Sequence, residues 1–331
     1  MDLPEAPSAR GPLLSLGNAN KIRLGREMAR YAFGVDLGGT KVEACLIDGS
    51  RRVLARKRRP SEPGLGRERV VANILELIGE TSGGAPFEAV GLGTPGTYSA
   101  ADDIMYGAPH TPLYEKPGLV SLLRSELAVP LVVENDANCL ALAEFFAQCH
   151  GRYSTVMAVI LGTGMGSGLI LGNRLHRGPR GNAGEIGHTS IAIDGRPCEC
   201  GRRGCGEAYL SGPSLGRRYA ELSGEALAPD RIFERYQKGE PAARRVFEES
   251  VRIMGELFAN CVNALDLEAI VLGGGVSNLP LWYDEVPPVM ERALFGVPGR
   301  RVPILKAVLG DSAGVLGAAY LALREMRLMD Y

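Results

Sequence analysis

The sequence lacks the features of a membrane, secreted or nucleic-acid-binding protein. No apolar run approaches the roughly 18 residues of a membrane helix, and residues 1–30 lack the apolar segment of a signal peptide. Neither sign of charge dominates, because 37 basic residues face 38 acidic ones. This balance excludes a broad basic surface of the kind that neutralises phosphates along nucleic acid. We therefore expect a cytoplasmic protein whose partners are small molecules.

Two common nucleotide-binding motifs are also missing. No glycine-rich segment matches G-x-x-x-x-G-K-[ST], which excludes a Walker-type loop. The segment 162-GTGMGSG-168 does not fit G-x-G-x-x-G and leads into a predicted strand, which argues against an NAD oxidoreductase. The chain instead has three glycine-rich bends after apolar strands: a first bend 36-DLGGTK-41, a second bend 162-GTGMGSG-168 and a third bend 273-GGGVS-277. Such bends can bring backbone N–H groups close to an anion, although each alone is equally typical of a tight turn.

One histidine and three of the seven cysteines stand at metal-ligand spacing within residues 182–207, the Cys/His loop. The predicted ligands are His188, Cys198, Cys200 and Cys205. Thiolates and an imidazole in this pattern can converge on a tetrahedral Zn²⁺, and four protein ligands leave no open position. We therefore expect a structural zinc that fixes the loop and the acidic residues in it. The alternative is a reduced cysteine cluster with a chance histidine nearby.

The pattern of apolar runs predicts an α/β protein with two related halves. A hairpin begins at Tyr31 and is followed by a third strand, a helix and a buried strand. A second hairpin begins at Ser154 and has the same apolar strand, glycine-rich bend and returning strand. Later helices are predicted over about 137–150, 212–222, 229–238, 241–265 and 279–295, and from residue 312. At 331 residues the chain can form two domains with a cleft between them.

An acidic and an amide side chain end the predicted strand PLVVEND. Asn135 and Asp136 stand outside the carboxyl end of this strand, where α/β proteins usually present functional groups. Phosphoryl transfer to an alcohol requires an aspartate that accepts the hydroxyl proton, together with phosphate donors and Mg²⁺. The alternative role for Asp136 is a helix N-cap for the segment that begins near Ala137, and one residue can fill both roles.

The ordered set DLGGTK, GTPG, ENDAN, GTGMGSG, GEIGH, C-x-C-G-x-x-G-C-x-E and LGGGVSN resembles the ROK family of bacterial sugar kinases and related repressors, from about Tyr31 to the C-terminus. The resemblance implies the actin-like, hexokinase-type (RNase H-like) fold, in which two α/β domains close over a sugar and ATP. We accordingly expect a loose tail over 1–30, a small domain over 31–137 completed by a C-terminal helix over 311–331, and a large domain with the zinc loop over 138–310.

The resemblance also implies the roles of individual residues. Asp136 would be the general base, and His188 would offer one ring nitrogen to zinc and the other to the sugar. The residues implied to contact the sugar are Gly93, Asn135, Asp136, Glu185, His188 and Glu207. Those implied to bind the nucleotide are Asp36, Gly38, Gly39, Thr40, Lys41, Gly162, Thr163, Gly164, Gly273, Gly274 and Gly275, with Asp36 near Mg²⁺. The segment 104–118 is expected to help close the sugar site.

The implied function is an ATP-dependent hexose kinase that phosphorylates a free hydroxyl, foremost the C6 hydroxyl of glucose, fructose or a related neutral hexose. Its cofactors would be structural Zn²⁺ and Mg²⁺ with ATP, and the implied assembly is a homodimer or homotetramer. One alternative is a kinase for N-acetylglucosamine or N-acetylmannosamine, and some relatives use polyphosphate as donor. Another is a sugar-responsive transcriptional regulator without catalysis. The residues before the first strand lack the two apolar helices of a helix-turn-helix, which favours the enzyme.

Overall fold

The computed structural model describes residues 30–108, 111–296 and 299–327. The predicted tail over 1–30 lies outside the described residues except for residue 30, as does the end of the predicted C-terminal helix beyond residue 327. None of the helices in these ranges combines the length and the apolar character that crossing a membrane requires.

Twelve strands and ten α-helices make up the described part of the chain. The strands are β1 (Tyr31–Leu37), β2 (Lys41–Asp48), β3 (Val53–Pro60), β4 (Ala89–Thr94), β5 (Thr97–Ser99), β6 (Ile104–Tyr106), β7 (Leu131–Asn135), β8 (Val156–Leu161), β9 (Met165–Leu171), β10 (Arg174–Leu175), β11 (Ala269–Gly273) and β12 (Ile304–Lys306). The helices are α1 (Arg67–Ser82), α2 (Leu119–Glu126), α3 (Asp136–Glu144), α4 (Glu207–Leu210), α5 (Gly212–Ser223), α6 (Pro229–Gln237), α7 (Pro241–Leu265), α8 (Leu281–Asp284), α9 (Val286–Ala293) and α10 (Ala313–Glu325).

Two five-stranded sheets have the same connectivity. The first sheet has the order β3-β2-β1-β4-β7, and the second has the order β10-β9-β8-β11-β12. In each, the three strands on one side are antiparallel and the remaining neighbours are parallel. The two hairpins predicted from the sequence therefore occupy equivalent places, and the first and second bends lie at equivalent ends of them.

Helices α3 and α10 pack between the sheets at close range. A Cβ atom at Gly34 would lie 2.0 Å from the carbonyl oxygen of Val315, and one at Gly317 would lie 1.9 Å from that of Cys139. Only glycine permits backbones to approach so closely. Because α3 has neighbours on both sides, every residue from Ala137 to Glu144 is buried. The predicted amphipathic helix over 137–150 was wrong in this respect, and it ends at Glu144 in a π-helical turn, Phe145–Cys149.

The outer faces of the sheets are covered by the other helices. Helices α1 and α2 pack on the first sheet, and α5 to α9 pack on the second. The helix predicted over 279–295 is two helices, α8 and α9, because Pro287 and Pro288 at the start of α9 have no N–H group to donate.

Candidate active site

A polar cavity of about 730 Å³ opens between the sheets and the Cys/His loop. Five of the predicted sugar residues line it: Asn135, Asp136, Glu185, His188 and Glu207. Gly93 instead lies within β4, where a Cβ atom would be 3.2 Å from the Cys139 sulfur and 3.8 Å from Oδ1 of Asp36. The cavity wall beyond β4 is formed by Pro95 and Gly96. The GTPG segment thus borders the cavity through its last two residues.

Asn135 and Asp136 occupy the junction between β7 and α3. Asn135 is the N-cap, since its Oδ1 accepts from the amide N–H groups of Ala137 (2.9 Å) and Asn138 (3.3 Å). Its Nδ2 donates to the carbonyl oxygen of Gly96 at 3.2 Å, so both ends of the amide hold the backbone. The N-cap role considered for Asp136 was therefore wrong by one residue. Asp136 is the first helical residue, and its Oδ1 accepts from Ala137 N–H at 2.8 Å.

The position of Asp136 makes its carboxyl a suitable base. Burial raises the pKa of Asp136 to about 6, and the negative charge of Glu185 also raises it. The N–H group of Ala137 acts in the opposite direction. A general base is most effective when its pKa lies near the working pH, because it is then ionised and still accepts a proton readily.

A second carboxyl, that of Asp36, lies at the end of β1. Burial, together with the charges of Asp136 and Glu43, raises the pKa of Asp36 to about 7. The first turn of α10 lies against it, since a Cβ atom at Gly314 would be 2.7 Å from Oδ2. A buried carboxyl whose pKa is raised by neighbouring carboxyls is one that a divalent cation would stabilise.

The first bend is held by protein groups in this conformation. The N–H group of Gly38 donates to the Lys41 carbonyl at 2.9 Å, and the hydroxyl of Tyr114 donates to the Gly38 carbonyl at 3.0 Å. The carbonyl of Thr40 accepts from Ser61 N–H at 3.1 Å, and the Lys41 ammonium is 3.5 Å from the Asp311 carboxylate. The bend, with Gly39 at its tip, lies outside the walls of the polar cavity.

The second bend lines the polar cavity and separates it from an apolar slot of about 680 Å³. Gly162 and Thr163 line both spaces, and Gly164 lines the polar cavity. The slot is lined by Gly275 and Val276 of the third bend, by Leu279 after it, and by Leu227 and Pro229 where the α5–α6 connection enters α6. An apolar slot of this kind suits a flat aromatic base.

The other two glycines of the third bend support the slot. Gly273 ends β11, and a Cβ atom there would be 3.2 Å from the Leu140 side chain. Gly274 has a φ of 86°, and a Cβ atom there would be 2.3 Å from the Leu161 carbonyl oxygen. Glycine is therefore required where the third bend crosses the end of β8.

The four predicted metal ligands converge in the Cys/His loop. The sulfur atoms of Cys200 and Cys205 are 3.6 Å apart, and Nδ1 of His188 is 3.7 Å from the Cys198 sulfur. All four ligand atoms lie within 4.8 Å of one another. Ligands of a tetrahedral zinc with Zn–S bonds of about 2.3 Å are separated by about 3.8 Å. The donor set and its spacing therefore fit zinc.

The metal cluster adjoins the acids of the polar cavity. With Nδ1 of His188 in the cluster, Nε2 is the ring nitrogen available to the cavity. Glu207 follows the last cysteine, and its Oε2 accepts from Met165 N–H at 2.8 Å, which ties the loop to the second bend. Burial raises the pKa of Glu185, His188 lowers it and Glu207 raises it. The loop thus presents two carboxylates and an imidazole to one space.

A sequence profile of the ROK family matches residues 32–325. The chain belongs to the ROK family. It is 33% identical over 313 residues to an N-acetyl-D-glucosamine kinase of Pasteurella multocida, covering 88% of this chain and 99% of that relative. It is 34% identical in sequence to a ROK hexokinase from Thermus thermophilus, whose crystal structure matches with a TM-score of 0.83 over 90% of this chain and 99% of that one. A ROK glucokinase from Streptomyces griseus, solved with glucose and AMPPNP, is 33% identical with a TM-score of 0.72 and coverage of 89% and 99%. The predicted family and actin-like α/β fold are confirmed.

Several residues that line the two spaces of this ROK protein were not singled out from the sequence. Gly107 and Glu115 of the segment 104–118 line the polar cavity, and the Glu115 carboxylate accepts from Ala108 N–H at 3.0 Å. Ser214 and Arg217 line it from the other side, on helix α5, which packs on the second sheet. Isolated residues of this kind carry no local pattern, because the cavity gathers them from elements far apart in the chain. Two residues of segment 104–118 thus lie at the cavity, and the expectation that the segment helps close a sugar site stays a prediction.

Proposed function

We propose that this ROK protein is an ATP-dependent sugar kinase that phosphorylates a free hydroxyl of a neutral hexose, foremost the C6 hydroxyl of glucose, fructose or a related sugar. One observation carries the proposal. A buried aspartate with a pKa raised to about 6 lies in a polar cavity, which adjoins an apolar slot across a glycine-rich bend. That arrangement provides a base, a place for a polyol, donors for phosphate and a place for a purine.

The sugar would be held by the acids and imidazole of the polar cavity. Carboxylates accept hydrogen bonds from neighbouring hydroxyls, so Glu185 and Glu207 suit the vicinal hydroxyls of a hexose. Nε2 of His188 would contact another hydroxyl. The Asp136 carboxylate would then accept the proton of the reacting hydroxyl as its oxygen bonds to the γ-phosphorus of ATP and ADP leaves. The phosphorylated sugar and ADP are the products.

The nucleotide would lie across the second bend. Its base would enter the apolar slot beside Gly275. Its phosphates would lie against Gly162 and meet the N–H groups of Thr163 and Gly164, because the Gly162 N–H already donates to the Gly164 carbonyl at 3.0 Å. Mg²⁺, which Asp36 would help to hold, neutralises charge on the phosphate oxygens when bound. The first bend lies outside the cavity wall, so contact between Lys41 and the phosphates requires the two sheets to close.

We also propose that the Cys/His loop holds a structural Zn²⁺ through His188, Cys198, Cys200 and Cys205. The support is the spacing of the four ligand atoms, which all lie within 4.8 Å of one another. Four protein ligands close the coordination shell, so the metal would fix the geometry of the loop and the tautomer of His188. A homodimer or homotetramer in the cytoplasm is the assembly that the family resemblance favours.

N-acetylhexosamines are the second candidate substrates. Several relatives that are 33–34% identical over 88% of this chain are named N-acetyl-D-glucosamine kinases. The same cavity residues would serve either sugar, since both offer vicinal hydroxyls and a free C6 hydroxyl. A sugar-responsive regulator is the alternative of another class, and the retained base and slot argue against it.

A coupled ADP-release assay tests the proposal. It supplies Mg²⁺ and ATP with glucose, fructose, mannose, N-acetylglucosamine or N-acetylmannosamine, and it is repeated with polyphosphate in place of ATP. We expect sugar-dependent ADP release, with kcat/KM highest for a neutral hexose. A higher kcat/KM for N-acetylglucosamine would replace the first substrate class by the second. Sugar binding in calorimetry without turnover on any donor would favour the regulator and contradict the kinase.

A further inference from the structure

An ion pair joins the two sheets directly behind Asp136. Glu134, two residues before Asp136 in β7, has a side chain only 8% exposed. Its Oε1 accepts from the backbone N–H of Asn135 and from the side-chain amide of Asn138, both at 2.9 Å. Its Oε2 accepts from Nε of Arg177, a residue that follows β10 of the second sheet. One carboxylate therefore holds the first turn of α3 and a cation from the other sheet.

The backbone of Arg177 begins the loop that carries Glu185. The Arg177 carbonyl accepts from Ala183 N–H at 3.1 Å, which closes residues 177–183 into a compact loop. The next residue, Gly184, has a φ of 97° and accepts at its carbonyl from the hydroxyl of Ser167 in β9. Glu185 follows immediately. The side chain of Arg177 thus contacts the strand that leads to Asp136, while its backbone holds the loop that leads to Glu185.

A second carboxylate fixes the orientation of the guanidinium. Nη1 of Arg177 donates to Oε1 of Glu325 at 3.1 Å, near the end of α10. The planar guanidinium is rigid, so contacts at two of its nitrogens determine its direction as well as its position. One acid would be enough to neutralise the charge. Two acids from β7 and α10 hold the loop at a defined angle to the first sheet.

We propose that Arg177 is a positioning residue whose ion pair with Glu134 holds the Asp136 carboxyl and the Glu185 carboxylate in a fixed relation across the two sheets. The inference rests on the proposed function, because its consequence is a correct distance between the base and the bound sugar. The competing explanation is an ion pair that contributes only to stability. Kinetics separate the two, since a stability role changes no kinetic constant of the folded protein.

The test compares Arg177→Met with Arg177→Lys and with a matched control, Arg244→Met. Arg244 forms an exposed pair with Glu248 within α7 at 3.0 Å, remote from the polar cavity. We expect Arg177→Met to lower kcat/KM for the sugar by about 100-fold, since small misplacements of reacting groups have effects of that size. KM for ATP should stay within about twofold of the unmutated value. Arg177→Lys should recover part of the loss, and Arg244→Met should change nothing.

Unchanged kcat and sugar KM in folded Arg177→Met would overturn the inference, as would an equal rise in the KM values for sugar and ATP. If Arg177→Met does not fold, Glu134→Gln replaces it, because the amide oxygen still accepts from Asn135 N–H while the negative partner of Arg177 is lost.

An unmutated protein without activity on any sugar would contradict the proposed function instead. Hydrogen exchange then decides the inference: the pair predicts faster exchange at the amides of Ala137, Asn138 and Ala183 in Arg177→Met than in Arg244→Met. Equal exchange would overturn it.

Discussion

The two sheets share one connectivity but end in different chemistry. In the first sheet, β1 and β7 lead to carboxyls, Asp36 and Asp136, whose pKa values are raised to about 7 and about 6. In the second sheet, the strands equivalent to β1 and β7 are β8 and β12, and neither leads to a carboxyl in the cavity. Instead, β8 and β11 end in glycine-rich bends that line the cavity and the slot. The first sheet supplies acids, and the second supplies backbone donors and an apolar surface.

The Cys/His loop of the second half adds acidic and imidazole side chains to the cavity that lies between the two sheets. It belongs to the second half of the chain and lies between β10 and α4. It carries Glu185, His188 and Glu207, which line the same cavity as Asp136. The comparison teaches that the repeated scaffold sets where strand ends meet, whereas the Cys/His loop adds side chains that no equivalent segment of the first half provides. In the proposed function the first half supplies the base and part of the sugar and Mg²⁺ sites, and the second half supplies the other sugar contacts and the nucleotide slot.

The largest expected effect follows from removing the base of the first sheet. Asp136→Asn keeps the shape and the acceptor for Ala137 N–H but cannot take the hydroxyl proton. We expect kcat to fall by about 10²- to 10⁴-fold, with sugar affinity in calorimetry nearly unchanged. Asp284→Asn, at an exposed position in α8, is the control. If Asp136→Asn turned over near the unmutated rate, Asp136 would not be the general base.

A smaller effect is expected from loss of the metal in the second half. Cys200→Ala should release zinc, lower the melting temperature and raise the sugar KM by about 10²-fold, because the loop acids lose their fixed positions. Cys261→Ala, which removes a buried thiol of α7, controls for loss of a cysteine elsewhere. Metal analysis that finds no zinc in the unmutated protein would contradict this part of the account.

Filling the apolar slot should affect the nucleotide alone. A Cβ atom at Gly275 meets no atom within 4 Å, and Gly275 lines the slot, so we expect the side chain of Gly275→Leu to occupy the slot. We expect KM for ATP to rise by about 10-fold, equivalent to about 1.4 kcal/mol, with sugar affinity unchanged. Gly79→Leu, at an equally open position in α1, is the control. An equal change in sugar affinity would mean that the slot and the cavity are not separate sites.

The smallest expected effect is a gain in stability. The pKa of Asp136 is raised from 3.8 to about 6, so the folded state holds this proton more tightly than the unfolded state. Folding stability therefore falls as the pH rises from about 4 to about 6, and the ionised base is destabilising by roughly 1 to 3 kcal/mol at neutral pH. Asp136→Asn should melt at a higher temperature than the unmutated protein at pH 7, and the difference should shrink at pH 4. If Asp136→Asn melted at a lower temperature than the unmutated protein at pH 7, the ionised Asp136 would not be destabilising.

The sequence predicted the longer strands and the paired hairpins, and it singled out four residues that converge in the Cys/His loop and five that line the polar cavity, because each belongs to a local pattern or to a motif of the family. That these residues bind zinc and sugar stays a prediction. Two details differ from expectation for physical reasons that local patterns do not show. Asn135 caps α3 because its side chain reaches the N–H groups of Ala137 and Asn138. Gly93 lies under Asp36, where it makes room for a neighbouring strand and helix.

Other parts of the site could not be read from the chain. The slot combines Leu227 of the α5–α6 connection and Pro229 at the start of α6 with Val276, and the Glu134–Arg177 pair joins residues 43 positions apart. None of these residues is unusual in its local context. Their positions arise from tertiary contacts between segments far apart in the chain, which hydrophobic periodicity does not encode.

The most direct test of the central claim compares a substrate with its analogue that lacks the reacting hydroxyl. ADP release is measured with glucose and with 6-deoxyglucose, both with Mg²⁺ and ATP, and the glucose product is identified by mass spectrometry. If N-acetylglucosamine proves the better substrate, its 6-deoxy analogue is used in the same way. The account predicts glucose 6-phosphate from glucose, and binding of 6-deoxyglucose without ADP release. Equal ADP release with both sugars, or with no sugar at all, would contradict it.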